Sequence, residues 1–421
     1  IEAMTKRLIL AFVFLSWHLV ACSNGDSGIS SGLPDKPSAE EDSPGTETIS
    51  EEMRVKITGE DLYISAKLDA KTDILYWFKK CMFNELFTFY RVGTIDNNMP
   101  APATLPDASP TSLLNLAYSD NIGPFNITGY GWCGGNHPYL DEVTQTARNI
   151  GYRIYIDGKE IKTDLSTLTK EIKIEVINEI MNPSKADTSS GKTLLNEILC
   201  IETVNYSIYR NNIQVLVTHE FQNESPVTVQ MYYGMQSMFD KETHTLTANG
   251  KYVDWTVQKD VSTFTKKEYP SFRRFIEKSA NVYQSSYLFA DGLGNHEEIS
   301  DDDIIFIGNS SNKTYHKIIA DREHKKGDII HWSGVYTWFK SPVSDDDDLL
   351  CYEGVIDNKK VLFIDCKKNV DRTIQLPVDY TKKSFTIIEK SKSITITGNK
   401  VTAKGLRIVS DGSGSCVITF D

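Results

Sequence analysis

Residues 202–239 read ETVNYSIYRNNIQVLVTHEFQNESPVTVQMYYGMQSMF. Apolar and polar residues alternate on both sides of a short polar turn at 210–212, which is the pattern of two antiparallel strands joined by a hairpin. A third run of β-branched and aromatic residues follows the polar segment at 222–226. The stretch therefore predicts three consecutive antiparallel strands.

Similar segments occur through the rest of the body and indicate an all-β protein. Helical periodicity is scarce, and only residues 112–118 and 271–280 are predicted as short helices. We expect a large antiparallel β-sandwich over 53–374 and a small β meander over 375–421. The other predicted strands are YRIYIDGKEI (152–161), EIKIEVI (171–177), DIIFIG (303–308), VLFIDC (361–366), SITITG (393–398) and SCVITF (415–420).

The 202–239 segment resembles the central repeat unit of galactose-mutarotase-like supersandwich domains. The resemblance implies a supersandwich-like fold in which the strand after the polar turn carries residues of a sugar site. That strand here presents Tyr232, Tyr233 and Gln236. Because neighbouring residues of a strand point to opposite faces, we expect only one of the two tyrosines to face a cleft.

The chain starts with the pattern of an exported protein. Lys6 and Arg7 precede the apolar run LILAFVFLSWHLVA, and Cys22 follows it directly. A short basic region and a short apolar run predict a signal peptide over 1–22. The segment LVAC resembles a bacterial lipobox, which implies lipidation of Cys22 and a membrane anchor.

Residues 23–52 predict a disordered acidic tether. They are rich in Ser, Gly and Pro, and they hold eight acidic residues against Lys36, more than half of the net charge of −12. Together with Cys22, this composition resembles outer-surface lipoproteins of gut Bacteroidetes and implies an outer-membrane location on the cell surface. The acidic balance argues against a nucleic-acid partner, and we expect a monomer.

The stretch GYGWCGGNHPYLDEVTQTARN, residues 129–149, contains the main candidates for chemistry. Two glycines allow a sharp turn before Asn136, His137 and Tyr139, and Arg148 follows. An amide, an imidazole, a phenol and a guanidinium are the groups that β-elimination on a uronic acid requires. A structural β-hairpin is the alternative interpretation.

In that reaction the proton at C5, next to a carboxylate, is removed and the oxygen at C4 leaves. The carboxylate charge must be offset for the proton to become acidic, and Asn136 and Arg148 are the candidates for this role. His137 is the candidate base, and Tyr139 or Tyr233 the candidate acid. Trp132 is a candidate substrate platform.

Further candidates carry weaker signals. Arg273 and Arg274 could bind an anionic substrate, although a solvated helix face is the favoured interpretation. His219 alternates with Val215 and Val217, so we predict that it lies on their face as a core or cleft-wall residue. The spacing of the other histidines and of the acidic runs fits no metal motif, and no cofactor motif is present.

Six cysteines follow Cys22, and their spacings fit neither a zinc site nor a redox motif. Export permits disulfides, and six cysteines allow fifteen pairings. The pair Cys351 and Cys366 is the most plausible, because a bond between them could staple a hairpin.

The stretches SDNIGPFNITGYGWCGGNHPY, TARN, YRIYIDGKE and YYGMQ resemble secreted β proteins that act on polysaccharides. With the lipobox and the tether, the chain resembles a surface chondroitin- or hyaluronan-type polysaccharide lyase, which implies an acidic polysaccharide substrate and no metal or cofactor. Three alternatives stay open: a non-catalytic glycan-binding lipoprotein, a mutarotase-like sugar epimerase and a structural surface protein.

Overall fold

The fold is described from a computed structural model of the chain. The described residues are 49–104, 112–115, 122–238, 243–246, 252–254, 262–264, 274–279, 282–291, 294, 305–308 and 313–421. The predicted signal peptide, Cys22 and most of the tether lie outside them. No helix in the described part of the chain is long and apolar enough to cross a membrane.

Strands make up almost all of the regular structure. The first strands are β1 Met53–Thr58, β2 Asp61–Asp69, β3 Thr72–Cys81, β4 Leu86–Asp96, β5 Ser112–Asn115, β6 Pro124–Ile127, β7 Gly131–Gly134, β8 Ala147–Ile156, β9 Lys159–Ile161, β10 Leu165–Thr169 and β11 Ile172–Met181. The next are β12 Ala186–Asp187, β13 Leu194–Leu195, β14 Ile198–Tyr209, β15 Asn212–Phe221, β16 Val227–Met238, β17 Thr243–Leu246, β18 Tyr252–Asp254, β19 Ser262–Phe264, β20 Arg274–Ser279 and β21 Val282–Leu288. The last are β22 Ile305–Gly308, β23 Lys313–His324, β24 Ile329–Phe339, β25 Ser344–Asp345, β26 Leu349–Ile356, β27 Lys359–Cys366, β28 Val370–Ile374, β29 Phe385–Lys390, β30 Ile394–Ile396, β31 Leu406–Ser410 and β32 Gly414–Phe420.

The strands form several antiparallel sheets. The N-terminal sheet has the order β10-β1-β2-β3-β4-β5, and the central sheet has the order β18-β17-β20-β21-β24-β15-β14-β11-β8-β9. The flanking sheet has the order β19-β22-β23-β16-β6-β7, and the two C-terminal sheets have the orders β25-β26-β27-β32-β29 and β28-β31-β30. The prediction of an all-β, antiparallel sandwich is confirmed. The helical segments of the described residues are the 3₁₀ turns Pro183–Lys185 and Val378–Tyr380.

The three strands predicted from residues 202–239 lie where that prediction requires. β14 and β15 pair through a turn at Arg210, which has a positive φ of 49°, and sit inside the central sheet. β16 leaves the central sheet and joins the flanking sheet, where it lies between β23 and β6. This crossing of the chain from one sheet to the other ties the two layers together.

One face of the central sheet is covered by two sheets. Tyr206 of β14 meets Phe78 and Phe89 of the N-terminal sheet, with ring centroids 5.4 and 6.3 Å apart. His219 of β15 meets Phe125 of the flanking sheet at 4.9 Å. Both contacts belong to one continuous apolar core, so burial of this face is the main driving force for the fold.

The opposite face of the central sheet packs on the C-terminal strands. Phe339 of β24 stacks on Tyr352 of β26 with centroids 4.3 Å apart. A further apolar cluster lies between the two C-terminal sheets. Strands β27 and β28 belong to the predicted main body, but each pairs with a strand of the predicted meander, β27 with β32 and β28 with β31.

Two predicted helices are strands instead. Residues 112–115 form β5, and 274–279 form β20 between β17 and β21. Pairing with neighbouring strands outweighs the weak local helix preference of these segments. Arg274 therefore lies on a strand and not on a helix, and Arg273 lies outside the described residues.

The hairpin predicted around Cys351 and Cys366 is present as β26 and β27, but the disulfide is not. All six cysteines after Cys22 are free and buried. The strand register explains this, because Cys351 lies opposite Ile364 and Cys366 lies opposite Leu349. Burial raises the pKa of the Cys351 thiol, so it is held in the neutral form.

A buried ion pair fixes residues 97–104 over one half of the N-terminal sheet. Lys67 and Asp73 are fully buried, and their Nζ and Oδ1 atoms are 2.8 Å apart. Lys67 also donates to the carbonyl of Asn97 at 2.7 Å, and Asp73 accepts from the Ala103 amide at 2.6 Å. Backbone groups of residues 97–104 thus offset part of the desolvation cost of burying Lys67 and Asp73.

Removal of one partner of this pair tests its role. We expect Asp73→Ala to lower the free energy of unfolding by about 3–5 kcal/mol, because it leaves a buried lysine without its partner. Asp371→Ala, which removes a 61% exposed partner of Arg407, should cost less than about 1 kcal/mol. Urea unfolding measures both values, and equal costs would contradict the assignment.

His324 predicts a pH dependence of stability. Its ring stacks on Phe221 with centroids 4.4 Å apart, and burial lowers its pKa from 6.5 to about 4. Between these values the unfolded chain binds a proton that the folded chain excludes, so stability is complete above pH 6.5 and falls as the pH drops toward 4, by up to roughly 3 kcal/mol. His324→Gln should flatten this part of the unfolding profile, whereas His331→Gln, at a 43% exposed side chain, should not.

Candidate functional site

Four aromatic side chains meet at the outer surface of the flanking sheet. Strand β7 supplies Trp132, strand β16 supplies Tyr233, and the segment after β7 supplies His137 and Tyr139. All four are half-buried. We call these residues the aromatic group.

The strand pairing explains why Trp132 and Tyr233 face outward. Phe125 of β6 lies between its register partners Cys133 and Tyr232, and all three are buried in the core. Because side chains alternate along a strand, the next residues, Trp132 and Tyr233, lie on the outer face. This confirms the prediction that Tyr232 and Tyr233 point to opposite sides.

The rings of the aromatic group lie close to one another. Trp132 has Tyr233 and Tyr139 as ring neighbours, with centroids 6.0 and 6.1 Å away and planes inclined by 19° and 29°. His137 meets the edge of Tyr139 at 5.6 Å. The result is a half-exposed aromatic surface with an imidazole and two phenols at its margin, which can stack on a flat ligand and exchange protons with it.

Backbone geometry places the loop residues of this group. Gly134 and Gly135 have positive φ values of 78° and 55°, which turn the chain sharply at the end of β7. The amide of Tyr139 then donates to the carbonyl of His137 at 3.0 Å and closes a tight turn around Pro138. The double glycine therefore has the shaping role that the sequence suggests.

Asn136 is separated from the aromatic group by its burial. It is 2% exposed, its side-chain oxygen accepts from the Leu86 amide at 3.4 Å, and its carbonyl accepts from the Phe83 amide at 3.2 Å. These bonds anchor the turn to strand β4. Asn136 thus holds the loop in place, whereas the sequence predicts that it contacts the substrate.

The other predicted site residues do not join the aromatic group. Arg148 is exposed on β8 and forms an ion pair with Glu179. Tyr232 is buried, donates to the Ile122 carbonyl at 2.7 Å and accepts from Trp332 at 2.9 Å. Gln236 is also buried, and the side chains of Arg273 and Arg274 lie outside what the structure describes.

A buried polar network lies beneath the aromatic group. His219 and Glu202 are buried, and their Nε2 and Oε2 atoms are 2.9 Å apart. Asn178 donates to the other oxygen of Glu202 at 2.9 Å. The alternation of β15 predicts the burial of His219, but Glu202 lies far from it in sequence and only the strand pairing reveals it as the partner.

This network borders a small cavity of about 20 Å³, lined among others by Glu202, Asn178 and Asn136. That volume holds about one water molecule. A sugar ring does not fit without rearrangement. Among the described residues no cluster of three or more His, Cys, Asp or Glu side chains could hold a metal ion.

Gly123 lets strand β16 pass close to the segment before β6. Its φ is +101°, and a Cβ at this position would lie 1.4 Å from the carbonyl oxygen of Tyr233. Only glycine permits this approach. The position of Tyr233 within the aromatic group thus depends on a residue that carries no functional side chain.

No protein-family model matches the sequence, and no curated protein matches it. Among solved structures, the chain is similar to the GH36 alpha-galactosidase AgaB from Geobacillus stearothermophilus, with 8% identity and a TM-score of 0.39 over 69% of this chain and 41% of that one. It is also similar to the galactosidase domain of the alpha-galactosidase-sucrose kinase AgaSK, with 11% identity and a TM-score of 0.38 over 68% and 42%. The chain thus spans about two fifths of these proteins.

Substitution of Gly123 tests the backbone contact. We expect Gly123→Ala to lower the free energy of unfolding by more than about 2 kcal/mol, because it combines a positive φ with a backbone clash. Gly129→Ala is the matched control, since Gly129 also has a positive φ of 80° but an open space around its Cβ position. Denaturant unfolding should show a clearly smaller loss for the control, and equal losses would contradict the contact.

Proposed function

We propose that the protein binds polysaccharide at the aromatic group. The observation that carries the proposal is that Tyr139 and Tyr233 are both ring neighbours of Trp132 on an outer sheet face. The C–H faces of a sugar ring are apolar, and aromatic rings stack on them while phenol groups bond to the hydroxyls at the ring edge. Three neighbouring rings on an open sheet face suit a chain of sugar units better than they suit a single enclosed sugar.

The proposal includes the cellular setting that the N-terminal sequence suggests. The apolar run before Cys22 and the acidic tether support export, a lipid anchor and display at the cell surface. A tethered domain with an exposed binding face would hold a polymer at the membrane.

A second candidate function is β-elimination on a uronic-acid-containing glycan of the chondroitin or hyaluronan type. It is favoured by the contact between His137 and Tyr139 within the same group. His137 would take the C5 proton, the electron pair would form the C4–C5 double bond, and Tyr139 or Tyr233 would protonate the departing C4 oxygen. Since Asn136 bonds to the backbone and Arg148 to Glu179, the groups assigned to offset the carboxylate are engaged elsewhere. Binding is therefore the primary proposal.

Binding is tested by titration of the purified protein with chondroitin sulfate, hyaluronan and neutral glucan. We expect Trp132→Ala/Tyr233→Ala to weaken binding to its preferred glycan at least about tenfold, because stacking on two rings is lost. Tyr130→Ala is the matched control, since this tyrosine is 54% exposed in the adjoining turn and has no ring contact among the described residues. Unchanged affinity in the double variant would refute the site.

The same samples separate binding from catalysis. A lyase generates an unsaturated product that absorbs in the near ultraviolet, and His137→Gln should abolish that signal while binding persists. Absence of product from every uronate-containing glycan tested, with binding intact, would leave the protein as a glycan-binding module.

A further inference from the structure

We propose that the protein has a second glycan-binding surface, specific for acidic chains, on the outer face of the N-terminal sheet. It goes beyond the function proposed above, and it lies on different strands. We call it the basic surface. Its members are Tyr63, Trp77, Lys79, Tyr90 and Arg91.

Strand register brings these residues together. Tyr63 of β2 lies opposite Trp77 of β3, which lies opposite Arg91 of β4. The Tyr63 and Trp77 rings are 5.3 Å apart, and Trp77 meets Tyr90 edge-on at 4.9 Å. Cross-strand neighbours of this kind share one face of the sheet.

Two cations lie over these rings. The Lys79 ammonium is 4.8 Å from the Trp77 centroid and 4.4 Å from that of Tyr90. The Arg91 guanidinium is 4.8 Å from the Tyr90 centroid, and it also donates to the Tyr90 hydroxyl at 3.3 Å. Contacts of this type hold long side chains in place, so less rotamer freedom remains to be lost when a ligand binds.

The described part of the chain supplies no carboxylate partner to either cation. Among the described residues Lys79 and Arg91 form no ion pair, whereas neighbouring Lys80 pairs with Glu60 at 2.9 Å. The nearby Asp61 accepts from the Trp77 indole at 2.8 Å. Two fixed positive charges on an acidic protein are therefore left for an external anion.

The other half of this sheet face is covered by a segment of the chain, which makes it possible to compare a covered part with the basic surface. Ser65 and Lys67 follow Tyr63 on the same face of β2, and both are buried under residues 97–104. That segment is fixed by its own hydrogen bonds over this half of the face. The basic surface begins beyond it and carries charged and aromatic residues instead of the aliphatic ones that a docking segment would bury.

The charge and shape favour an acidic polysaccharide over nucleic acid. Nucleic-acid binding depends on many cations and a positive field, and the net charge of the chain is −12. Two cations set among aromatic rings suit a polymer whose carboxylates or sulfates are spaced along amphipathic sugar rings. Arg91 would receive the anionic group through its planar fork and Lys79 would act as a point charge.

The test uses the full chain and chondroitin sulfate at low ionic strength, with neutral glucan and a single-stranded oligonucleotide for comparison. We expect Lys79→Gln/Arg91→Gln to weaken chondroitin sulfate binding about tenfold or more, and added salt to weaken wild-type binding in the same direction. Lys359→Gln/Lys360→Gln removes the same charge from two exposed residues and should leave the affinity unchanged. Arg91→Lys keeps the charge but not the fork, so it should bind with intermediate affinity and guards against misfolding of the double variant.

Three results would overturn the proposal: unchanged affinity in Lys79→Gln/Arg91→Gln, an equal loss in Lys359→Gln/Lys360→Gln, or tighter binding to the oligonucleotide than to the glycan. Its failure is distinguishable from failure of the aromatic group. If Trp132→Ala/Tyr233→Ala binds normally while Lys79→Gln/Arg91→Gln does not, the function proposed above fails and the basic surface stands.

Discussion

The inward packing of Tyr232 is the contact on which the candidate site depends. Its ring stacks on Phe125 with centroids 4.4 Å apart and meets His219 of the central sheet at 5.0 Å. Its hydroxyl bonds to the Ile122 carbonyl and receives the Trp332 indole. Because Tyr232 is fixed on the inner face, Tyr233, the next residue of β16, must point to the outer face.

The same alternation organises the molecule on a larger scale. Each of the two six-stranded sheets buries one face against the central sheet, and described aromatic side chains such as Trp77 and Trp132 lie half-buried on the other face. In the described part of these sheets, the aromatic group and the basic surface combine such aromatic residues with charged or protonatable neighbours. They differ in chemistry, because the first has an imidazole at its margin and the second has two unpaired cations. A polymer that contacts both surfaces at once would bind more tightly than it binds either surface alone, because the second contact is intramolecular.

Much of the fold could be predicted because local alternation is strong in β14, β15 and β16. The burial of His219 and the opposite orientations of Tyr232 and Tyr233 follow from that alternation alone. The helices predicted at 112–118 and 271–280 were wrong where the structure describes them, because pairing with distant strands decides such weakly patterned segments. The predicted disulfide between Cys351 and Cys366 was wrong for a similar reason. Strand register places the two cysteines opposite other residues, and their spacing in the sequence does not show this.

The candidate site was predicted in part, and the difference has a physical cause. The contact of His137, Tyr139 and Trp132 arises within one short segment, so sequence proximity predicts it. Asn136 and Arg148 belong to the same segment, but backbone groups of β4 and a carboxylate of β11 engage them. The basic surface went unpredicted because its members come from three strands, and the aromatic and basic residues of YWFKK and FYR become one surface only through their register.

A crystal structure of the protein with a bound acidic oligosaccharide would show directly where the glycan binds. We expect a sugar ring to lie against the aromatic group, in contact with Trp132 and with His137 at its edge. A sugar seated instead beside Glu202 and His219, in an enlarged internal cavity, would contradict it and would favour a mutarotase-like enzyme.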